Sequence, residues 1–138
     1  MGRYNLDGSA INEPLVTGIA GHPSGLTVTG GAICVSSWNT GTVGAWNVDG
    51  SEINASLITG LGTPTQLAVV GSLNYIAEFQ AQKISLYTTA GSVVNSSLVT
   101  GLGQVNGVAV DGNDLFVSDN SNAKIGRYTI AAQRSIRS

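Results

Sequence analysis

The chain writes one phrase three times: "NEPLVTGIAG" at 12–21, "NASLITGLG" at 54–62 and "NSSLVTGLG" at 95–103. Repetition at a fixed spacing constrains architecture more than any single motif, because each copy must build the same unit and the units must pack alike. Aromatic residues mark the same period, with Tyr4, Trp46, Tyr87 and Tyr128 falling 42, 41 and 41 residues apart. Such a period lies in the range of about 40 to 50 residues typical of propeller blades. The longer first interval falls in "GIAGHPSG", which carries one residue more than "GLGTPTQ" and "GLGQVNG", so a loop absorbs it.

Within one period the chain alternates apolar and polar residues in short runs separated by turn residues, the pattern of antiparallel strands. In the second period the runs are Gln66–Val70, Asn74–Phe79, Lys83–Tyr87 and Val93–Val99, taken as strands A, B, C and D. Glycine and aspartate in the A-to-B turns ("TGG", "VGS", "DGND") and the C-to-D turns ("DGS", "AGS") supply the positive φ of tight hairpins. No segment carries a sustained helical period. A four-stranded sheet of this size cannot cover both its faces alone, so successive copies must stack face to face. The expected fold is all-β: a β-propeller of four-stranded antiparallel blades. Strand A, as "GLTV", "QLAV" and "GVAV", is small enough to line the central channel, and the strand C aromatics fill the wider wedge between blades.

Composition narrows the function classes. Charged residues make up only 10% and the formal net charge is −2, which gives no electrostatic footprint for nucleic acid or an anionic membrane surface. Lys124, Arg127, Arg134 and Arg137 gather near the C-terminus and read as a solvated tail. Cys34 is the single cysteine, so neither an intrachain disulfide nor a cysteine-cluster metal site can form, and it reads as a small buried hydrophobe. No apolar run approaches the roughly 20 residues that span a bilayer, and "MGRYNLDG" lacks the features of a signal peptide, so a soluble chain is expected. Asn54 and Asn95 head glycosylation sequons that matter only if a glycosylating host secretes the chain. Localisation stays open, with an extracellular origin compatible.

The segment "NGVAVDGNDLFVSDNSNAKI", 106–125, resembles the NHL repeat of gluconolactonase-like and related six-bladed propellers. Gly107, Val108, Ala109, Val110, Asp111, Phe116, Val117, Asp119, Asn122, Lys124 and Ile125 match the usual pattern, while Val105 replaces its proline. The first two copies keep Pro23 and Pro64 but place Ser37 and Glu78 where the third has Asp119. The resemblance implies a six-bladed architecture and says little of function, since this fold hosts enzymes, adhesins, receptors and scaffolds. Lactonases of the broader superfamily bind a metal with acidic and amide side chains from several blades; no such set carries over residue by residue.

Read in order, residues 1–18 supply strands C and D of a shared blade, 19–59 and 60–100 a blade each, and 101–138 strands A, B and C of a shared blade with a tail. About three blades' worth of strands cannot close a ring, which takes four to eight. Head-to-tail association of two chains would give six blades, and of three chains nine. "GRY" occurs at both Gly2–Tyr4 and Gly126–Tyr128, so each junction holds two candidate C strands for one place. A fragment of a longer array or an engineered repeat protein is the expected origin.

Candidate site residues lie on the rim, in the loops before strand A and after strand B. His22 is the only histidine; Trp38 and Phe79 occupy one column that continues to Asn120, and these four are the candidate ligand-binding residues. Exposed, Trp38 and Phe79 would form a stacking platform for sugars or peptides; buried, they would wedge blades together. Glu78 and Asp119 hold equivalent positions and could pair across blades as a metal or acid/base site, although an acid at a strand end commonly bonds loop amides. "DGND" at 111–114 reads as a hairpin turn. The expected function is a non-catalytic, self-assembling propeller module without catalytic residues, cofactor or resident metal, its partner a second copy of itself. The alternatives are an extracellular glycan- or ligand-binding propeller, and a metal-dependent lactonase-like hydrolase using Glu78, Asp119 and His22.

Overall fold

A computed structural model describes residues 1–130. Thirteen strands form four antiparallel sheets among these residues. The hairpin β1 (Arg3–Tyr4) and β2 (Ala10–Asn12) comes first. A first blade follows from β3 (Pro23–Thr29), β4 (Ala32–Ser37), β5 (Thr42–Asn47) and β6 (Glu52–Ile58). A second contains β7 (Pro64–Val70), β8 (Leu73–Glu78), β9 (Lys83–Thr88) and β10 (Val93–Val99). The third sheet holds β11 (Val105–Asp111), β12 (Asp114–Asp119) and β13 (Lys124–Thr129). The expected C-terminal tail, with Arg134 and Arg137, lies outside the described residues.

Strand order within each blade follows the chain, so every blade is a simple meander. The inner strands β3, β7 and β11 lie against one another, which places strand A at the axis as its small residues require. Both full blades begin strand A at proline, two residues earlier than the alternation of "QLAV" implies. Proline is tolerated there because a first strand residue need not donate to the ladder.

The thrice-written phrase has a local cause. Gly18, Gly60 and Gly101 all take positive φ, at 69°, 75° and 72°, and turn the chain from the outer strand toward the next inner one. Only glycine adopts that conformation without cost. Aspartate holds two of the C-to-D turns, where Ser51 N donates to Asp49 Oδ1 at 2.9 Å and Ser9 N to Asp7 Oδ1 at the same distance, and in the third Ser92 N donates to Thr88 Oγ1 at 3.0 Å. These serine contacts hold both carboxyls below the usual aspartate range.

Alternation distributes the core between blades. On β8, Tyr75 and Ala77 face the third sheet, clustering with Val105, Val108 and Leu115, whereas Ile76 faces the first blade with Cys34, Val43 and Ile58. A third cluster joins Ile33, Val35 and Trp46 to Met1, Leu15 and Ile19 of the N-terminal segment. Cys34 is buried, and burial pushes its thiol pKa up.

Hydroxyl bonds from β3, β4 and β7 tie each blade to the inner strand of the next. Ser24 Oγ donates to Pro64 O at 2.8 Å, Ser36 Oγ to Thr65 O at 2.6 Å and Thr65 Oγ1 to Asn106 O at 2.7 Å. This close approach is what Gly25 permits, since a Cβ there would run into the Thr65 carbonyl. We therefore expect Gly25→Ala to destabilise the fold by about 1–3 kcal/mol, the usual cost of overpacking, with a lowered Tm in thermal denaturation.

Candidate functional site

One backbone bond positions the rim in all three copies. Trp38 N donates to His22 O at 2.8 Å, Phe79 N to Thr63 O at 2.9 Å and Asn120 N to Gln104 O at 2.9 Å. Each bond ties the residue after strand B to the residue before strand A. Trp38, Phe79 and Asn120 thereby form one column around the rim, the aromatics half-buried and Asn120 exposed.

Trp38 and Phe79 meet across the first two blades, with ring centroids 5.1 Å apart and planes tilted by 43°. The pair is neither a free platform nor a buried wedge: each ring packs on the other and keeps part of its surface open. His22 is exposed, and the Asn39 side-chain nitrogen lies 2.8 Å from its Nδ1. An amide nitrogen only donates, so Nδ1 accepts and the neutral ring carries its proton on Nε2. Thr63, beside this rim, takes φ of 62°, an uncommon conformation for a β-branched residue.

The two acids serve their own loops. Glu78 Oε1 accepts from Gly62 N at 2.7 Å, and Asp119 Oδ2 accepts from Gly103 N at 2.9 Å and from Asn122 Nδ2 at 2.9 Å. Gly62 and Gly103 are equivalent positions, so the carboxylates repeat one device, pinning the loop that enters strand A. Of the two arrangements the sequence allows, a pair across blades or bonds to loop amides, these contacts are of the second kind. Among the described residues no group of three or more His, Cys, Asp or Glu side chains could hold a metal ion.

Beside Glu78, the second blade buries two polar side chains that escaped the sequence reading, Asn74 and Ser85. Asn74 Oδ1, Glu78 Oε2 and Ser85 Oγ are buried without a hydrogen-bond partner among the described residues. Burial and then the Glu78 charge raise the Tyr87 phenol pKa. Ser85 also breaks a pattern: Gly44 and Gly126 stand two residues before Trp46 and Tyr128, whose rings lie 2.6 and 2.8 Å from where a Cβ would be. The signal was the "G-x-aromatic" spacing, present at Gly2 and Tyr4 as well.

With this geometry in hand, the solved structures are decisive for architecture. A computationally designed protein, Ika4, superposes with a TM-score of 0.59 at 15% identity, covering 76% of this chain and 64% of that one. A chain of the nidogen/laminin complex gives 0.69 at 21% identity, covering 79% and 44%. The virginiamycin B lyase of Staphylococcus aureus, in a catalytically inactive form with quinupristin, gives 0.63 at 21% identity, covering 82% and 43%.

The fold is β-propeller-like.

At these identities the likeness establishes architecture alone, and the chain spans less than two thirds of each of those proteins. No protein-family model matches the chain, and no curated protein matches it in sequence. Among the described residues no helix is long and apolar enough to cross a membrane.

The Asp119 carboxyl is held below its usual range, chiefly by the Asn122 side chain and then by the Gly103 amide. A depressed folded value means stability present above the unfolded pKa, near 3.9, and lost as pH falls through the folded one. We expect Asp119→Asn to flatten part of the acid limb of Tm against pH below about 4, a limb to which Asp7 and Asp49 also contribute.

Proposed function

We propose that this chain is a non-catalytic, NHL-like propeller repeat module that assembles head to tail with a second copy into a ring of six blades. The observation that carries the reading is the complementarity of the incomplete sheets: β1 and β2 form a C–D pair, while β11, β12 and β13 form an A–B–C set. A blade whose faces are apolar on both sides gains by being completed, because uncovered strand faces and edges are costly in water. The NHL assignment draws on the matches from Gly107 to Ile125. A binding role in preference to catalysis is supported by the engagement of His22, Glu78 and Asp119 with partners in their own loops.

The test is solution mass by light scattering over a dilution series. A two-chain mass that persists on dilution is expected; a three-chain mass would mean nine blades, and a stable single chain would overturn the reading.

The Trp38–Phe79 pair favours a second reading, an extracellular propeller whose rim stacks on a sugar or peptide ligand. Binding on a glycan or peptide array that disappears in Trp38→Ala is its expected signature. An unchanged array profile removes the rim from consideration. A lactonase-like hydrolase has the least support, since its acids are those that pin the loops.

A further inference from the structure

The blade interfaces within the chain define how a covered face looks. Leu67 of β7 and Val108 of β11 stand one repeat apart and are 5% and 8% exposed, each packed against the preceding blade. Leu26 holds the same place in β3 and is 56% exposed, with Val28 exposed beside it. Among the described residues, what lies against that face of the first blade is the N-terminal segment with the β1–β2 hairpin. Met1, Leu15 and Ile19 cover the outer part of that face, over Ile33, Val35 and Trp46, and leave the inner part open. Two adjoining cavities of about 430 and 410 Å³ lie there, sharing Met1, Gly2 and Leu26 in their walls.

The third sheet presents the converse face. Ile125 of β13 is 73% exposed where its counterpart Ile84 is 0% exposed, and Phe116 is half-buried where Tyr75 is buried. Tyr75 clusters with Val108 and Leu115 across a blade interface. Advanced by one repeat, Phe116 takes the part of Tyr75, Leu26 that of Val108, and Ile33 that of Leu115.

Resting on the self-assembly reading, we propose that the cleft between β1 and β3 is the seat for strands β11 and β12 of a second copy, with Phe116 of the incoming chain anchored on Leu26 and Val28. The backbone offers the same continuity. Asn106 is exposed and stands where Ser24 and Thr65 stand, the positions that donate to the next inner strand within the chain. In the seat the incoming chain's Asn106 amide reaches β3 of the receiving chain. β1 supplies the third strand of the composite blade: Gly2, Arg3 and Tyr4 repeat Gly126, Arg127 and Tyr128, and both tyrosine rings lie 2.8 Å from a Cβ placed on their glycine. β13 then withdraws, releasing the Arg127 guanidinium from the Phe116 ring 5.9 Å away.

The experiment compares full-length Phe116→Glu and Leu26→Glu with the parent by light scattering, with circular dichroism to confirm folding. Both positions are accessible in the single chain, so each variant is expected to fold, lose the two-chain species and run as one chain. Val93→Glu, at an exposed position on β10, is expected to assemble like the parent. Mixing the two defective variants leaves one intact junction per pair, so an equimolar mixture is expected to recover a two-chain species that neither forms alone. Assembly undiminished in both variants would overturn the seat while leaving self-assembly intact. Two single-chain variants that fail to complement would also overturn it, because a head-to-tail junction requires rescue. A parent that is itself a single chain at every concentration would remove the self-assembly reading and this proposal together.

Discussion

A blade in this protein is apolar on both faces. On β8 the side chains alternate between two clusters, Tyr75 and Ala77 toward the third sheet and Ile76 toward the first blade. A soluble antiparallel sheet usually turns one face to water, and this one does not. Every blade therefore depends on two neighbours, and stability is shared along the row as in other repeat proteins. The second blade, which has both neighbours, contributes many of the most deeply buried side chains, among them Tyr75, Ile76, Ile84 and Leu86.

The same dependence explains the rim. Because blades fan out from closely spaced inner strands, the loops after strand B converge near the axis. One backbone bond per copy then sets Trp38, Phe79 and Asn120 in a column, and the first two touch. Glu78 and Asp119 hold the loops that lead into strand A by accepting from Gly62 and Gly103. The first copy has Ser37 at that position, a side chain too short for the task, and its loop is the one with an extra residue.

The sequence carried the architecture because periodicity is a property of the whole chain and survives local ambiguity. The spacing of Tyr4, Trp46, Tyr87 and Tyr128 and the glycines of the repeated phrase are enough to place blades and turns. Contacts between blades were not legible. Ser24, Ser36 and Thr65 look like ordinary polar residues on strands, and nothing local indicates that their hydroxyls reach carbonyls 29 to 41 residues away. Glu78 and Asp119 share a column, which suggested a pair, yet each finds a nearer amide in its own loop. The glycine beneath each strand C aromatic was visible as a spacing, but only geometry gives it meaning, by laying the Trp46 and Tyr128 rings where a Cβ would stand.

The hydroxyl-to-carbonyl bonds between blades have a consequence for the solvents this protein can tolerate. They join neutral partners, and the only ion pair among the described residues, Arg127 to Asp114 at 2.7 Å, lies at the edge of the third sheet. Dissolved ions screen attraction between charges over about 10 Å at 0.1 M and leave neutral hydrogen bonds and packed apolar surface largely untouched. Cohesion between blades thus owes little to the attraction between charges that dissolved ions screen.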